Sequence, residues 1–200
     1  MNRLPDNQKK FRERANRYKR ALIKKQRESP YLGDGAGKRY LVGPLYVLAG
    51  DTDSALDYYR WYEQTFAEDS GEPWHCFYWS LACYRSGNIE AANTKLLATM
   101  IQNIYLLPDL AGTPLPESNL RHGSNLADRD YLFETPLELL PVLTGKERAW
   151  IRDQLNSPRF VETLEAYIFS RQRLENEKSF DKRRAILEEW DRFVSKVLQQ

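Results

Sequence analysis

The 200-residue sequence contains no apolar run approaching the roughly eighteen residues that a membrane-spanning helix requires. Its first thirty residues are polar and basic, without an apolar stretch of signal-peptide length, so export by that route is not expected. Cysteine is scarce. The two present, Cys76 and Cys83, fall in one segment with helical patterning, where seven residues of rise put them about 10.5 Å apart. That exceeds the roughly 7 Å limit for a disulfide, so the two should stay as thiols, which suits a reducing cytoplasm. Histidine is equally sparse (His75 and His122), and neither C-x-x-C nor H-x-x-x-H occurs, so no metal site and no cofactor are expected. β-branched residues are few and no segment alternates with period two, which leaves no basis for a sheet. What is abundant is apolar and aromatic matter, 42% and 12% of the chain, enough to offset chain entropy and build a core. Net charge is only +2, but it is segregated: +9 over residues 1–40, −8 over 41–150 and +1 over 151–200.

Helical periodicity runs almost throughout. Residues 7–29 carry a narrow stripe, Phe11, Ala15, Tyr18 and Leu22, among many cations, so 1–30 reads as a basic helix or arm. Pro30 and LGDGAGK then break the pattern, giving a glycine-rich linker at 31–38. That string is no phosphate loop: its spacing is wrong, no apolar strand precedes it, and Arg39 follows Lys38 where Ser or Thr would hold magnesium. Next come two helix pairs, 39–50 with 51–69 and 73–87 with 88–107, broken at Gly50 and Gly87. Asp51 and Asn88 sit just after those glycines, placed to cap the next helix. A polar, proline-rich segment follows, and residues 108–200 end in short helices. Thr135-Pro136-Leu137-Glu138 and Thr144-Gly145-Lys146-Glu147 have capping-box spacing, while Ser157 and Ser179 open the last two helices.

The two helix pairs superpose at an offset of 37 residues. Gly43 and Ser80 fill a small position in the first helix, with Tyr46 and Cys83 at the larger one after it. Gly50 and Gly87 fill the turn; Ala55 and Ala92 fill a small position in the second helix, followed by Tyr59 and Leu96. On GPLYVLAGDTDSALDYYRWY and WSLACYRSGNIEAANTKL, the chain resembles the tetratricopeptide repeat, a helix–turn–helix unit of about 34 residues. Pro44 inside the first helix, and Thr52 and Ile89 where an aromatic is usual, depart from that pattern. The resemblance implies an all-α, α-α superhelix of helical hairpins at 39–107, with a helical C-terminal cap drawn from 108–200, since two units cannot cover their own ends.

The resemblance also implies a concave face built from first helices, lined by Tyr40, Val47, Trp74, Phe77, Leu81, Tyr84 and Arg85. Such a groove would take a protein or peptide partner, with ordinary packing as the competing use of those aromatics. The cations Lys9, Lys10, Arg12, Arg14, Arg17, Lys19, Arg20, Lys24, Lys25 and Arg27 have three readings: a solvated helix docked by its stripe, a contact for DNA or RNA phosphates, or an arm drawn to acidic surface. The long 108–135 segment carries Arg121, His122 and Asn125, with His122 the group placed to titrate near neutrality. No nucleophile and base at defined spacing accompany them, so no catalytic residue is expected. The expected function is therefore a protein–protein adaptor acting without bond-making chemistry; the alternative is a nucleic-acid-associated factor whose basic helix holds DNA or RNA while the body binds protein.

Overall fold

A computed structural model of the chain describes residues 5–28, 34, 37–116, 120 and 122–199. Of the expected linker, only Asp34, Gly37 and Lys38 are among them, and Arg121 lies outside them. The described residues form ten α-helices and two short 3₁₀ turns, without a strand, so the chain is all-α. No helix among them is long and apolar enough to cross a membrane. The chain divides into two compact units, Met1–Leu96 with Leu137–Pro141, and Leu97–Pro136 with Val142–Gln200. The division follows packing rather than composition: it falls inside the fifth helix, and the basic helix belongs to the first unit.

The first unit holds α1 (Pro5–Glu28), α2 (Lys38–Leu48), α3 (Thr52–Thr65), α4 (Pro73–Arg85) and the start of α5 (Ile89–Gln102). At its centre is α2, packed against α1, α3 and α4. Seven consecutive residues, Val42–Leu48, are buried, more than a full turn, so no side of this stretch faces water. Gly43 permits the closest approach. A Cβ there would stand 2.6 Å from Tyr59 Cε1 and nearer still to its Cζ and hydroxyl oxygen. Tyr59 cannot move aside, because its ring stacks on Trp79 at 4.7 Å and its hydroxyl donates to the His75 carbonyl at 3.3 Å.

The helix runs through Pro44, which has no N–H to give the Tyr40 carbonyl four residues back. His75 fills that vacancy with Nδ1 3.2 Å from the Tyr40 oxygen, and since a carbonyl only accepts, Nδ1 carries the proton. His75 is 1% exposed, and burial lowers its pKa to about 4. The two hairpin turns share one hydrogen-bond pattern. Gly50 and Asp51 donate to Val47 and Tyr46; Gly87 and Asn88 donate to Tyr84 and Cys83. Both glycines have positive φ, +73° and +84°, where a side chain would be strained. Asp51 and Asn88 accept from Ser54 and Ala91 N–H groups, as capping residues do. The connection after α3 is latched by Asp69, which accepts from Arg39 Nε at 2.7 Å, from the Tyr40 hydroxyl and from the Gly71 N–H. Burial alone would raise the Asp69 pKa, but these donors hold it below the usual carboxylate value.

The second unit contains the end of α5, α6 (Leu106–Ala111), α7 (Tyr131–Glu134), α8 (Gly145–Leu155), α9 (Pro158–Asn176) and α10 (Phe180–Leu198). The helix expected to run from 88 to 107 stops at Gln102, because the fully buried Asn103 turns the chain. Asn103 Oδ1 accepts from the Tyr105 and Leu106 N–H groups, and its amide donates to the Leu126 and Asp128 carbonyls at 2.8 and 3.1 Å. One side chain thus starts α6 and pins the loop around the 3₁₀ turn Asn125–Ala127. The Thr144–Glu147 capping box forms reciprocally at the start of α8. Thr135–Glu138 differs: it leads into a 3₁₀ turn, Leu137–Leu139, rather than an α-helix. An antiparallel pair, α9 and α10, is pinned at its open end by Arg159 on the Val197 carbonyl and at its turn by Arg183 on the Leu174 carbonyl.

Candidate functional site

The residues expected to line a groove do not form one. Val47, Trp74, Phe77 and Leu81 are buried inside the first unit, the last two completely. The physical reason is the position of α2: with helices on several sides, its apolar residues are consumed by packing. Tyr40 is half-buried and serves the Asp69 latch; burial, then the bond to Asp69, push its pKa up to about 12. Tyr84 is half-buried, and Arg85 is exposed with Nη1 3.5 Å from the Val47 carbonyl. Trp79, which the groove reading did not include, is half-buried under the Lys95 ammonium, 3.4 Å from its ring, and Lys95 also pairs with Glu63 at 3.0 Å.

Of the residues singled out in the 108–135 segment, Asn125 is exposed and His122 is half-buried. His122 is held between two phenols: Nε2 is 3.2 Å from the Tyr105 hydroxyl and Nδ1 2.8 Å from that of Tyr167. Its ring also stacks on Tyr167, and burial lowers its pKa, away from the neutral switching range expected of it. Cys76 and Cys83 are buried thiols. Burial pushes the Cys83 thiol up, away from nucleophilic use. Among the described residues no three His, Cys, Asp or Glu side chains lie together as a metal set.

The basic helix is the one expected feature that gathers into a surface. At 100° per residue, Phe11, Ala15, Tyr18 and Leu22 occupy a sector about 60° wide. Phe11, Ala15 and Leu22 are 8%, 0% and 2% exposed, and α1 lies antiparallel on α2. Asn16 Oδ1 accepts from the Tyr46 hydroxyl at 2.7 Å, and Arg12 pairs with Asp51 at 3.1 Å. Burying Phe11 and Leu22 contributes on the order of 2 kcal/mol each, so docking rests on packing more than on charge.

Docking by that stripe fixes where the cations point. Lys9, Arg17, Arg20, Lys24 and Arg27 fall in a sector about 80° wide on the opposite side, with Lys10 at its margin. All six are exposed. Along the axis they span roughly 27 Å. Arg12, Arg14 and Lys24 have carboxylate partners in Asp51, Glu138 and Glu28, whereas Lys9, Lys10, Arg17, Lys19, Arg20 and Arg27 have no ion pair among the described residues. The third reading, attraction to acidic surface, therefore describes Arg12 and Arg14 but not the ridge. Tyr18 is clamped inward: the Arg14 guanidinium donates to its hydroxyl at 3.1 Å and lowers its pKa, and both Arg14 and Arg17 lie 5.5 Å from its ring. At the end of the ridge, a hollow of about 260 Å³ is lined by Leu22, Lys24, Lys25 and Lys38 with Glu28 and Asp34.

No protein family model, curated protein or solved structure matches the chain. The site residues must be interpreted from their own chemistry. Sequence reasoning located the cations but missed Asp69 and Asn103, the side chains that fix the loops, and expected Glu138 in a capping box rather than beside Arg14. Asn103 carried a readable signal, a polar residue between two apolar runs (LLATMI and IYLL), at a place where only a fully bonded amide could be buried.

Proposed function

We propose that the protein is a nucleic-acid-associated binding protein, acting without bond-making chemistry, whose contact with phosphates is the outer face of α1. One observation carries the reading: a helix docked by its apolar stripe keeps successive like charges, Arg17, Arg20, Lys24 and Arg27, at three- and four-residue spacing on its solvent side. The three neighbouring pairs among them repel by roughly 1 kcal/mol in total, a cost that a polyanion lying along the ridge would relieve. The helical body is the part left for a protein partner. Its two hairpins, with their shared turn pattern, are read as tetratricopeptide-like units. In the second unit Phe169 (60% exposed), Ala185 and Ile186 line a groove of about 550 Å³ with polar and charged neighbours. That groove, not the buried set around Phe77, is where an adaptor role belongs.

The test is fluorescence anisotropy with labelled oligonucleotides, single- and double-stranded, at low salt. Wild-type protein is expected to bind in the micromolar range typical of sequence-blind contacts. Arg17→Glu/Arg20→Glu/Lys24→Glu should abolish binding with the melting temperature retained. Absence of binding to every oligonucleotide, or binding untouched by the triple variant, overturns the proposal. Deleting α1 is the poorer experiment, because it uncovers the apolar flank of α2.

A further inference from the structure

We infer that the ridge selects B-form double-stranded DNA and grips its backbone without reading sequence. This rests on the nucleic-acid reading above and adds the class of ligand. The first argument is what the ridge lacks. Proteins that hold single strands stack bases on exposed aromatic rings. Here Phe11 is buried in the docking stripe and Tyr18 is clamped between Arg14 and Arg17. Among the described residues of the first unit no aromatic side chain is exposed: Tyr18, Tyr40, Trp61, Phe66, Trp79 and Tyr84 are half-buried and the rest buried.

The second argument is charge density against shape. Six cations over roughly 27 Å meet about one phosphate per 1.7 Å of axis on a duplex, but one per 3.4 Å on a single strand. A helix about 10–12 Å across with a cationic outer half suits the roughly 12 Å major groove of B-form DNA, whereas the major groove of A-form RNA is too narrow to admit it. The third argument is that this face is built almost wholly of Lys and Arg, whose charge phosphates of any sequence satisfy, without the Asn, Gln and small apolar side chains that read adenine and thymine. The outer sector holds Lys, Arg and Glu13, with Glu28 beside Lys10 at its margin, and the one amide near its edge, Asn16, has its Oδ1 taken by the Tyr46 hydroxyl. Phosphate contacts position a protein but carry no sequence information.

The experiment titrates full-length protein against labelled probes of roughly 20 nucleotides or base pairs: two unrelated DNA duplexes, an RNA duplex and oligo-dT, from 50 to 200 mM potassium chloride. The two DNA duplexes should bind alike, at least about tenfold more tightly than the RNA duplex or oligo-dT. With about six phosphates neutralised, log affinity should fall with log salt at a slope near −5, about a thousandfold over that range. Arg17→Gln/Arg20→Gln/Arg27→Gln, all on the solvent side, should make that slope shallower by about three. Equal or tighter binding of oligo-dT or RNA overturns the duplex-DNA inference while leaving the nucleic-acid reading intact. A strong preference between the two duplexes overturns the sequence-blind part. Absence of binding to all four probes at 50 mM salt removes both readings together.

Discussion

Two long helices, α1 and α10, obey the same local rule and come out differently. Each buries one stripe, Phe11, Ala15 and Leu22 in α1 and Ile186, Trp190 and Val197 in α10, and each turns charge outward. On α10 most of the outward charge is paired: Arg184 pairs with Glu188 one turn on, Glu189 takes Arg173 of α9 at 2.7 Å, and Arg183 is spent on the carbonyls of Leu174 and Glu177. On α1 ten cations face three acids, and six cations have no carboxylate partner among the described residues. Amphipathicity says that a helix docks. The balance of its outer face says whether docking is all it does.

The sharpest way to break that contrast is to neutralise both faces alike. Arg17→Gln/Arg20→Gln/Arg27→Gln on α1 should lower duplex affinity by roughly 10²–10³-fold at 0.1 M salt, as three lost phosphate contacts require. Arg184→Gln/Arg192→Gln/Lys196→Gln on α10 should change it less than about threefold, since those charges sit among acids. Equal losses, read by anisotropy, would make the binding a property of net charge and not of the ridge.

Docking can be attacked separately. Leu22→Ala should cost about 3 kcal/mol of stability, measured by denaturant unfolding, because Leu22 is 2% exposed against α2. The matching change on α10, Leu187→Ala, should cost under about 1 kcal/mol, because Leu187 is 43% exposed. Since the ridge depends on α1 being held, Leu22→Ala should also weaken DNA binding, though by less than the triple neutralisation.

An effect confined to acid pH separates the core beneath α1 from the core beneath α10. His75 is neutral in the folded chain, with its pKa lowered from 6.5 to about 4 by burial. Below pH 6.5 the unfolded chain binds a proton that the folded chain refuses, so stability is full above about pH 6.5 and declines as pH falls toward 4. The linked loss is up to about 3 kcal/mol. His75→Gln keeps a donor for the Tyr40 carbonyl and cannot titrate, so it should flatten the pH dependence of urea midpoints over that window. Pro44→Ala supplies the missing backbone N–H, and should make the loss caused by His75→Ala smaller than in the wild-type background.

How much of this was legible follows the range of the interactions. The stripe at Phe11, Ala15, Tyr18 and Leu22, the turns at Gly50 and Gly87 and the Thr144–Glu147 capping box are local, built on steps of three to five residues, and all stand in the structure. The groove failed for a reason that the sequence contained. Residues 40–49 include no charged residue, and a helix apolar on every side has neighbours on every side, leaving none for a groove. Gly43 pointed the same way, since its missing side chain makes room for Tyr59. What no local pattern could reveal were contacts across long separations: His75 answering Pro44, Asn103 reaching Leu126 and Asp128, and Glu138 reaching Arg14 across 124 residues.

That last pair sets the lower end of the scale. Arg14, like Arg12 with Asp51, is tied to a carboxylate outside α1, Nη1 to Glu138 Oε1 at 3.1 Å, and Glu138 is largely exposed. A solvated pair of this kind contributes only about 0.2–1 kcal/mol. Glu138→Gln should therefore shift thermal stability by that amount or less and release Arg14 from its partner. On charge alone, removing an acid beside the ridge strengthens duplex binding. Arg14, however, also donates to the Tyr18 hydroxyl and lies beside the docking stripe rather than opposite it. If the ridge binds by geometry, affinity for duplex DNA should rise by less than about twofold in Glu138→Gln. A rise comparable to the loss from neutralising Arg17 alone would show that every cation of α1 counts equally, wherever it points, and would dissolve the distinction between α1 and α10 into arithmetic of charge.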